Sequence, residues 1–338
     1  MKLTRAKRPS SAFTTVDFDR TGRQIGHIMF PHSPNDDAWG VTRVPVAVVA
    51  NGKGPTVIME GGNHGDEYEG PIVIGELARD LDPAELQGRL ILMPSNNIHA
   101  VMGAQRTSTV DGLNFNRTFP GDPLGTITQQ ISAYMTDHIF PMGDAFLDLH
   151  SGGSSLDFIP SAAIEPTDDP ALAARNFAAA RAFDAPCTVI IGNLGDPRTA
   201  TATACRAGLV TVGSELGGGG RVNAAALSVA RRGVRNVLAH FGVIASSKAS
   251  SINADRPIYE LKGTPAYVYA TAEGIFEPFH ELGSEVRAGQ AAGLIHRVWE
   301  PSIVPEQLNY AADGIVYARR QPGRVRPGNC CLAVATPQ

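Results

Sequence analysis

The chain has 338 residues, enough for about two domains at roughly 150 residues each. Hydrophobic residues make up 43 % and charged residues 18 %, a globular composition that excludes a disordered chain. With 29 basic and 33 acidic residues the formal charge is −4, and the basic residues are scattered, which argues against a nucleic-acid or anionic-membrane binder.

The four cysteines, Cys187, Cys205, Cys330 and Cys331, form no C-x-x-C pair, so neither a cysteine zinc site nor a disulfide scaffold is expected. The N-terminus MKLTRAKRPSSAF is basic, but no apolar core follows it, and no run of about 18 apolar residues occurs. These absences lead to the expectation of a reducing, cytoplasmic compartment. Small cytoplasmic enzymes commonly form symmetric assemblies, so a homo-oligomer is expected.

Residues 1–40 are polar and turn-rich and read as an N-terminal extension that packs on a catalytic domain. VPVAVVA, NGKG and PTVIME then read as strand, turn and strand, ending at Gly61 and Gly62. Residues 69–81 carry Ile72, Ile74, Leu77 and Leu81 near a helical period. RLILMPS (89–95) is a short buried strand, and residues 96–123 form a loop long enough to suggest function. Helices are expected from 126 to 139, 170 to 183 and 223 to 240, with strands at 144–150 and 209–215. Alternating strands and helices give an α/β domain over 41–255, a mixed sheet covered on both faces.

From 256 to 338 helical periodicity gives way to short strands and glycine turns. Ala272-Glu273-Gly274-Ile275-Phe276 through Val286-Arg287-Ala288-Gly289 is echoed by Ala312-Asp313-Gly314-Ile315-Val316 through Val325-Arg326-Pro327-Gly328. Such a repeat implies two similar β units sharing one core, a C-terminal all-β domain resembling the barrel-sandwich of biotinyl and lipoyl carriers. No lysine follows Lys262, so no side chain there could carry biotin or lipoate, and the domain reads as structural or as a lid.

The strongest chemical signal is Gly61-Gly62-Asn63-His64-Gly65-Asp66-Glu67, with His64 and Glu67 in H-x-x-E spacing between a strand and a helix. Imidazole nitrogen and carboxylate oxygen both suit Zn²⁺, but a catalytic zinc needs a third protein ligand and an open position. His150 supplies the candidate at the carboxyl end of DAFLDLH, where open α/β sheets bind ligands. Asp148 shares its strand face and could fix the imidazole tautomer from behind; the alternative is a buried histidine satisfied by the core. Glu215 ends the strand VTVGSE and is a candidate general base, or else a cap for the next helix, a task glutamate performs poorly. The long loop offers Arg106, Asp111, Asn114, Asn116 and Arg117. Asn116 with Arg117 could hold a substrate carboxylate, and Arg106 could stabilise an oxyanion or merely make surface salt bridges.

Together these residues resemble the succinylglutamate desuccinylase/aspartoacylase family, a branch of the zinc carboxypeptidase-like fold. The chain carries H-G-x-E at His64–Glu67, D-G-x-N-x-N-R at Asp111–Arg117, D-L-H at Asp148–His150 and Glu215, in the family's order. The resemblance covers about residues 45–245, with the C-terminal β region also matching. It implies one Zn²⁺ per chain held by His64, Glu67 and His150, Glu215 as base, and Asn116 with Arg117 on the substrate carboxylate; Arg106 carries over less directly. DDAWG, GGNHGDEYEGP and His150-Ser151-Gly152-Gly153 are most similar to a bacterial branch that deacetylates N-acetyl-L-2,4-diaminobutyrate in ectoine breakdown. An acetyl pocket needs no further arginine, whereas a succinyl pocket would, and Arg221 could serve it. The expected activity is a zinc amidohydrolase acting on a small-molecule N-acyl amino acid. A metallo-carboxypeptidase uses the same chemistry and stays open, as does another deacylase of the family; a non-catalytic binding module is the reading from a different class.

Overall fold

Side-chain alternation along the central strands decides what each face of the sheet meets. In the computed structural model, which describes residues 8–34 and 37–338, Val57 and Met59 join one apolar core while Ile58 joins another. Ala145, Leu147 and Leu149 likewise separate from Phe146. The first core is covered by the helices Glu69–Asp80, Pro170–Phe183 and Ala224–His240. The second is covered by Ile127–Tyr134 and Ala200–Arg206. A sheet buried on both faces reads as near-continuous apolar runs, as these strands do. The N-terminal stretch 1–7 and residue Asp36 of DDAWG lie outside the described residues.

The strand order is Gly22–Pro31, Val41–Asn51, Gly88–Met93, Thr56–Gly61, Ala145–His150, Val210–Glu215, Ser161–Ile164 and Cys187–Ile190. Thr56–Gly61, Gly88–Met93, Ala145–His150 and Val210–Glu215 run parallel, so their carboxyl ends form one edge. Ser161–Ile164 runs antiparallel to Val210–Glu215, which makes the sheet mixed.

Residues 8–34 are less turn-rich than their composition suggests. Gly22–Pro31 is a ten-residue strand hydrogen-bonded along Val41–Asn51. Its burial alternates only in part, which is why its sequence lacks a clean period of two. Within the loop 96–123, Ile98–Met102 forms a short helix capped by the Asn97 side chain.

The ladder does not stop at residue 255. Cys187–Ile190 pairs with Ile258–Glu260, which pairs with Cys330–Pro337. Leu156–Phe158 pairs with Gly314–Arg320, and the buried Tyr317 hydroxyl lies 2.6 Å from Ser161 Oγ. The two halves of the repeat exchange strands. Gly274 of the first pairs with Val325 of the second, and Gly314 of the second pairs with Val286 of the first. Each half thus completes the other's sheet around a core that includes Phe276, Val286, Val316 and Val325.

Candidate metal centre

The parallel register brings His150 directly opposite Glu215 at the carboxyl edge, with Asp148 opposite Gly213 and Glu60 opposite Asp148. These residues share the face of Ile58 and Phe146. His64 and Glu67 arrive from the turn between Thr56–Gly61 and Glu69–Asp80. That turn packs hard against the long loop: a Cβ on Gly65 would lie 1.8 Å from the Ala100 carbonyl oxygen, so the position admits only glycine. Asp66 points the other way and accepts from the Ser154 backbone N–H and hydroxyl, both at 2.7 Å, which ties the segment after His150 to the same turn.

Glu67 sits between the two imidazoles, with Oε1 2.7 Å from His64 Nδ1 and Oε2 2.7 Å from His150 Nδ1. Ligand atoms of the three side chains all lie within 4.8 Å of one another. Tetrahedral donors about 2.0–2.2 Å from a zinc ion stand roughly 3.3 Å apart, so small rotations would admit the ion. Two borderline nitrogen donors and one carboxylate oxygen are a donor set that zinc accepts. The far side of each imidazole is held as well. His64 Nε2 lies 3.0 Å from Asn114 Oδ1, and His150 Nε2 lies 3.0 Å from Asp148 Oδ1. Thr201 donates to the other Asp148 oxygen at 2.8 Å.

The electrostatics follow from this packing. Burial pushes the Glu67 carboxyl up, but the imidazoles of His64 and His150 outweigh it and hold the group well below the usual range. Burial disfavours a charged His150, yet Asp148 and Glu67 on either side raise it well above an ordinary histidine. Both carboxylates thus favour the protonated imidazole, and a metal ion held by His150 would compete with that proton. Glu215 is pushed up to about 8 by burial and then by the Glu67 charge, and its Oε2 is buried with no hydrogen-bond partner. Below them Glu60 is fully buried and makes no well-formed hydrogen bond, although the Asn63 and Asn96 amides stand beside it. Burial, then the Asp148 charge, pushes its carboxyl well above the usual range.

A cavity of about 400 Å³ opens in front of these groups. Arg106 lines it, with Nη1 3.5 Å from both Glu67 Oε1 and His64 Nδ1. Asn116 and Arg117 line it too, but both are already engaged. Asn116 accepts from the Ala200 N–H at 2.8 Å and lies 3.3 Å from His150 Nε2, while Arg117 pairs with Asp196 at 3.2 Å. Asp111 is turned away and accepts from the Thr128 N–H and hydroxyl. Arg221 does not line the cavity; it is largely exposed and lies 3.7 Å from Asp157, so it adds no charge to an acyl pocket.

Several cavity residues carry no sequence motif. Thr201 comes from the helix Ala200–Arg206, Arg320 from the C-terminal strands, and Glu165 from the end of Ser161–Ile164. Glu165 had one usable signal, a carboxylate at a strand end, but SAAI is too short and too poor in β-branched residues to be read as a strand.

Residues 53–241 match the succinylglutamate desuccinylase/aspartoacylase catalytic-domain family. The chain belongs to that family. It is accordingly a hydrolase of amide bonds, a deacylase. It is 37 % identical over 330 residues to the N-alpha-acetyl-L-2,4-diaminobutyric acid deacetylase of Halomonas elongata, covering 97 % of this chain and 96 % of the relative. Among solved structures it resembles a succinylglutamate desuccinylase/aspartoacylase from Rhodobacter sphaeroides, with 43 % identity, TM-score 0.92, and 97 % of this chain and all of that one covered. It resembles equally the product-bound ectoine utilization protein EutE (DoeB) of Ruegeria pomeroyi, with 35 % identity, TM-score 0.92 and the same coverage. Among the described residues no helix of this family member is long and apolar enough to cross a membrane.

Proposed function

We propose that this deacylase removes the acetyl group from Nα-acetyl-L-2,4-diaminobutyrate, using one zinc ion held by His64, Glu67 and His150. The register that pairs Glu215 with His150 carries the chemical reading, because it puts an unpaired carboxylate beside the imidazole–carboxylate cluster. The substrate reading rests on similarity along nearly the whole chain to a deacetylase of that compound.

When bound, zinc supplies Lewis acidity for the acyl oxygen and for the attacking water. Glu215 takes a proton from that water as its oxygen adds to the acyl carbon. As the C–N bond breaks, the same carboxyl passes the proton to the departing amine, leaving acetate and a free amino acid. A divalent cation held beside it would bring the Glu215 carboxyl down from about 8 toward neutrality, where a base can both accept and return a proton. Arg106 donates to the developing oxyanion. Asp148 holds His150 in orientation from behind, and Arg117, braced by Asp196, offers its remaining edge with Asn116 to the substrate carboxylate.

Residues 41–255 then form the catalytic domain, residues 1–40 an extension along its edge, and residues 256–338 a barrel-sandwich-like β domain built on the exchanged repeat. That domain supplies Arg320 to the cavity wall.

Release of the free amino acid from a panel of N-acetyl, N-succinyl and N-formyl amino acids, scored by kcat/KM, tests the proposal. The acetylated diamino acid should lead. Release of the C-terminal residue from dipeptides without acetate release from any acetylated amino acid would instead identify a carboxypeptidase.

A further inference from the structure

Glu165 is the cavity carboxylate that neither the metal cluster nor the proposed base accounts for. It is half-buried, lines the same cavity as His64, His150 and Glu215, and makes no hydrogen bond or ion pair with any described residue. The Arg206 charge reaches it, but Arg206 also donates to the Pro197 carbonyl and the Thr203 hydroxyl, and the Asp148 charge acts against it. Burial raises the Glu165 carboxyl to about 7. A side chain in this state gains by meeting a cation from solution.

Its position gives a length. Ser161–Ile164 runs antiparallel to Val210–Glu215, with Ser161 opposite Glu215 and Ala163 opposite Gly213. Extending that register brings Glu165 level with Thr211, on the same sheet face as Glu215 but four residues down the strand. At about 3.3 Å per residue the two carboxylates are based roughly 13 Å apart. Between them the face carries only Gly213 and Ala163, both lining the cavity, so the floor is open along this path.

From this geometry we infer that Glu165 receives a cationic amino group at the far end of the substrate side chain, and so selects N-acylated diamino acids. The inference rests on the proposed deacetylase reading. In extended Nα-acetyl-2,4-diaminobutyrate the acyl carbon and the terminal nitrogen are five bonds, or about 6 Å, apart. A contact of about 3 Å at each end brings the span to roughly 12 Å, of the same order as the backbone separation of the two glutamates. An anionic side chain in the same place would face Glu165 with like charge.

The test is the ratio of kcat/KM for Nα-acetyl-2,4-diaminobutyrate to that for Nα-acetyl-2-aminobutyrate, which lacks only the amine. The wild-type ratio should exceed ten. In Glu165→Gln it should fall by about 10- to 100-fold, carried mainly by KM for the diamino substrate, as expected for one lost charged hydrogen bond. Glu165→Asp, which keeps the charge, should retain a ratio between the two. Glu165→Ala stands in should the glutamine variant not fold. Glu165→Arg should move preference toward N-acetylaspartate. A high wild-type ratio that survives in the glutamine and alanine variants overturns the role of Glu165 and leaves the deacetylase reading intact. A wild-type ratio near one overturns the diamino substrate itself, and the inference with it.

Discussion

The carboxyl edge of the central strands and the C-terminal strands are built by the same alternation and spend it differently. In the C-terminal region the inward positions are apolar, as with Phe276, Val286, Val316 and Val325. Its charges stay outside in surface pairs such as Glu277 with His296 and Glu273 with Arg324. At the carboxyl edge the positions on the face of Ile58 and Phe146 become Glu60, Asp148 and His150, with Glu215 opposite His150 on the neighbouring strand. Two of these acids, Glu60 and Glu215, have buried oxygens with no hydrogen-bond partner. Burying unpaired polar groups costs about 1–3 kcal/mol each, more for charges. One region is therefore arranged for stability. The other carries groups that a stable fold would omit, and this is the signature of a site.

Variants should separate the two regions. The largest effect on turnover is expected from Glu215→Gln, which should lower kcat by about 10²–10⁴ while zinc stays bound, measured by steady-state kinetics beside metal analysis. Next comes Asp148→Asn. Losing the carboxylate behind His150 should weaken zinc by about 10- to 100-fold in competition with a chelator, with kcat at saturating zinc falling less.

A smaller effect concerns pH. In the metal-free protein Glu215 sits near 8 against an ordinary glutamate value of 4.5, and His150 is raised above 6.5. Groups raised on folding stabilise fully below their unfolded pKa and lose that contribution as pH climbs through the folded value. The lowered His64 opposes this only below its ordinary value of 6.5. The Tm of chelator-treated protein should thus fall from about pH 5 to pH 8, and zinc should flatten the slope; a Tm rising over that range would contradict the assigned protonation. The least effect on chemistry is expected from Phe276→Ala, which should cost about 3–5 kcal/mol in denaturant unfolding while the folded fraction keeps its zinc.

How much of this was legible in the sequence follows from which signals are local. The runs at Thr56–Gly61, Ala145–His150 and Val210–Glu215 are rich in apolar and β-branched residues and end in, or just before, chemistry-bearing residues, so both the strands and the His64, Glu67, His150 and Glu215 positions stand out. Gly22–Pro31 and Ser161–Ile164 are strands because neighbours pair with them, a tertiary effect that a four-residue SAAI cannot announce. The engagement of Arg117 by Asp196 and of Asn116 by the Ala200 N–H joins residues about eighty positions apart and has no local trace. The repeat was visible, but its exchange of strands was not, because a self-match does not say which half pairs with which.

The central claim is that three side chains distant in sequence hold one zinc ion, and metal content measured alongside activity tests it most directly. Wild type should carry one zinc per chain, and His150→Ala should lose the metal and the activity together while retaining a cooperative unfolding transition. A folded His150→Ala protein that still holds stoichiometric zinc and turns over substrate would contradict the account.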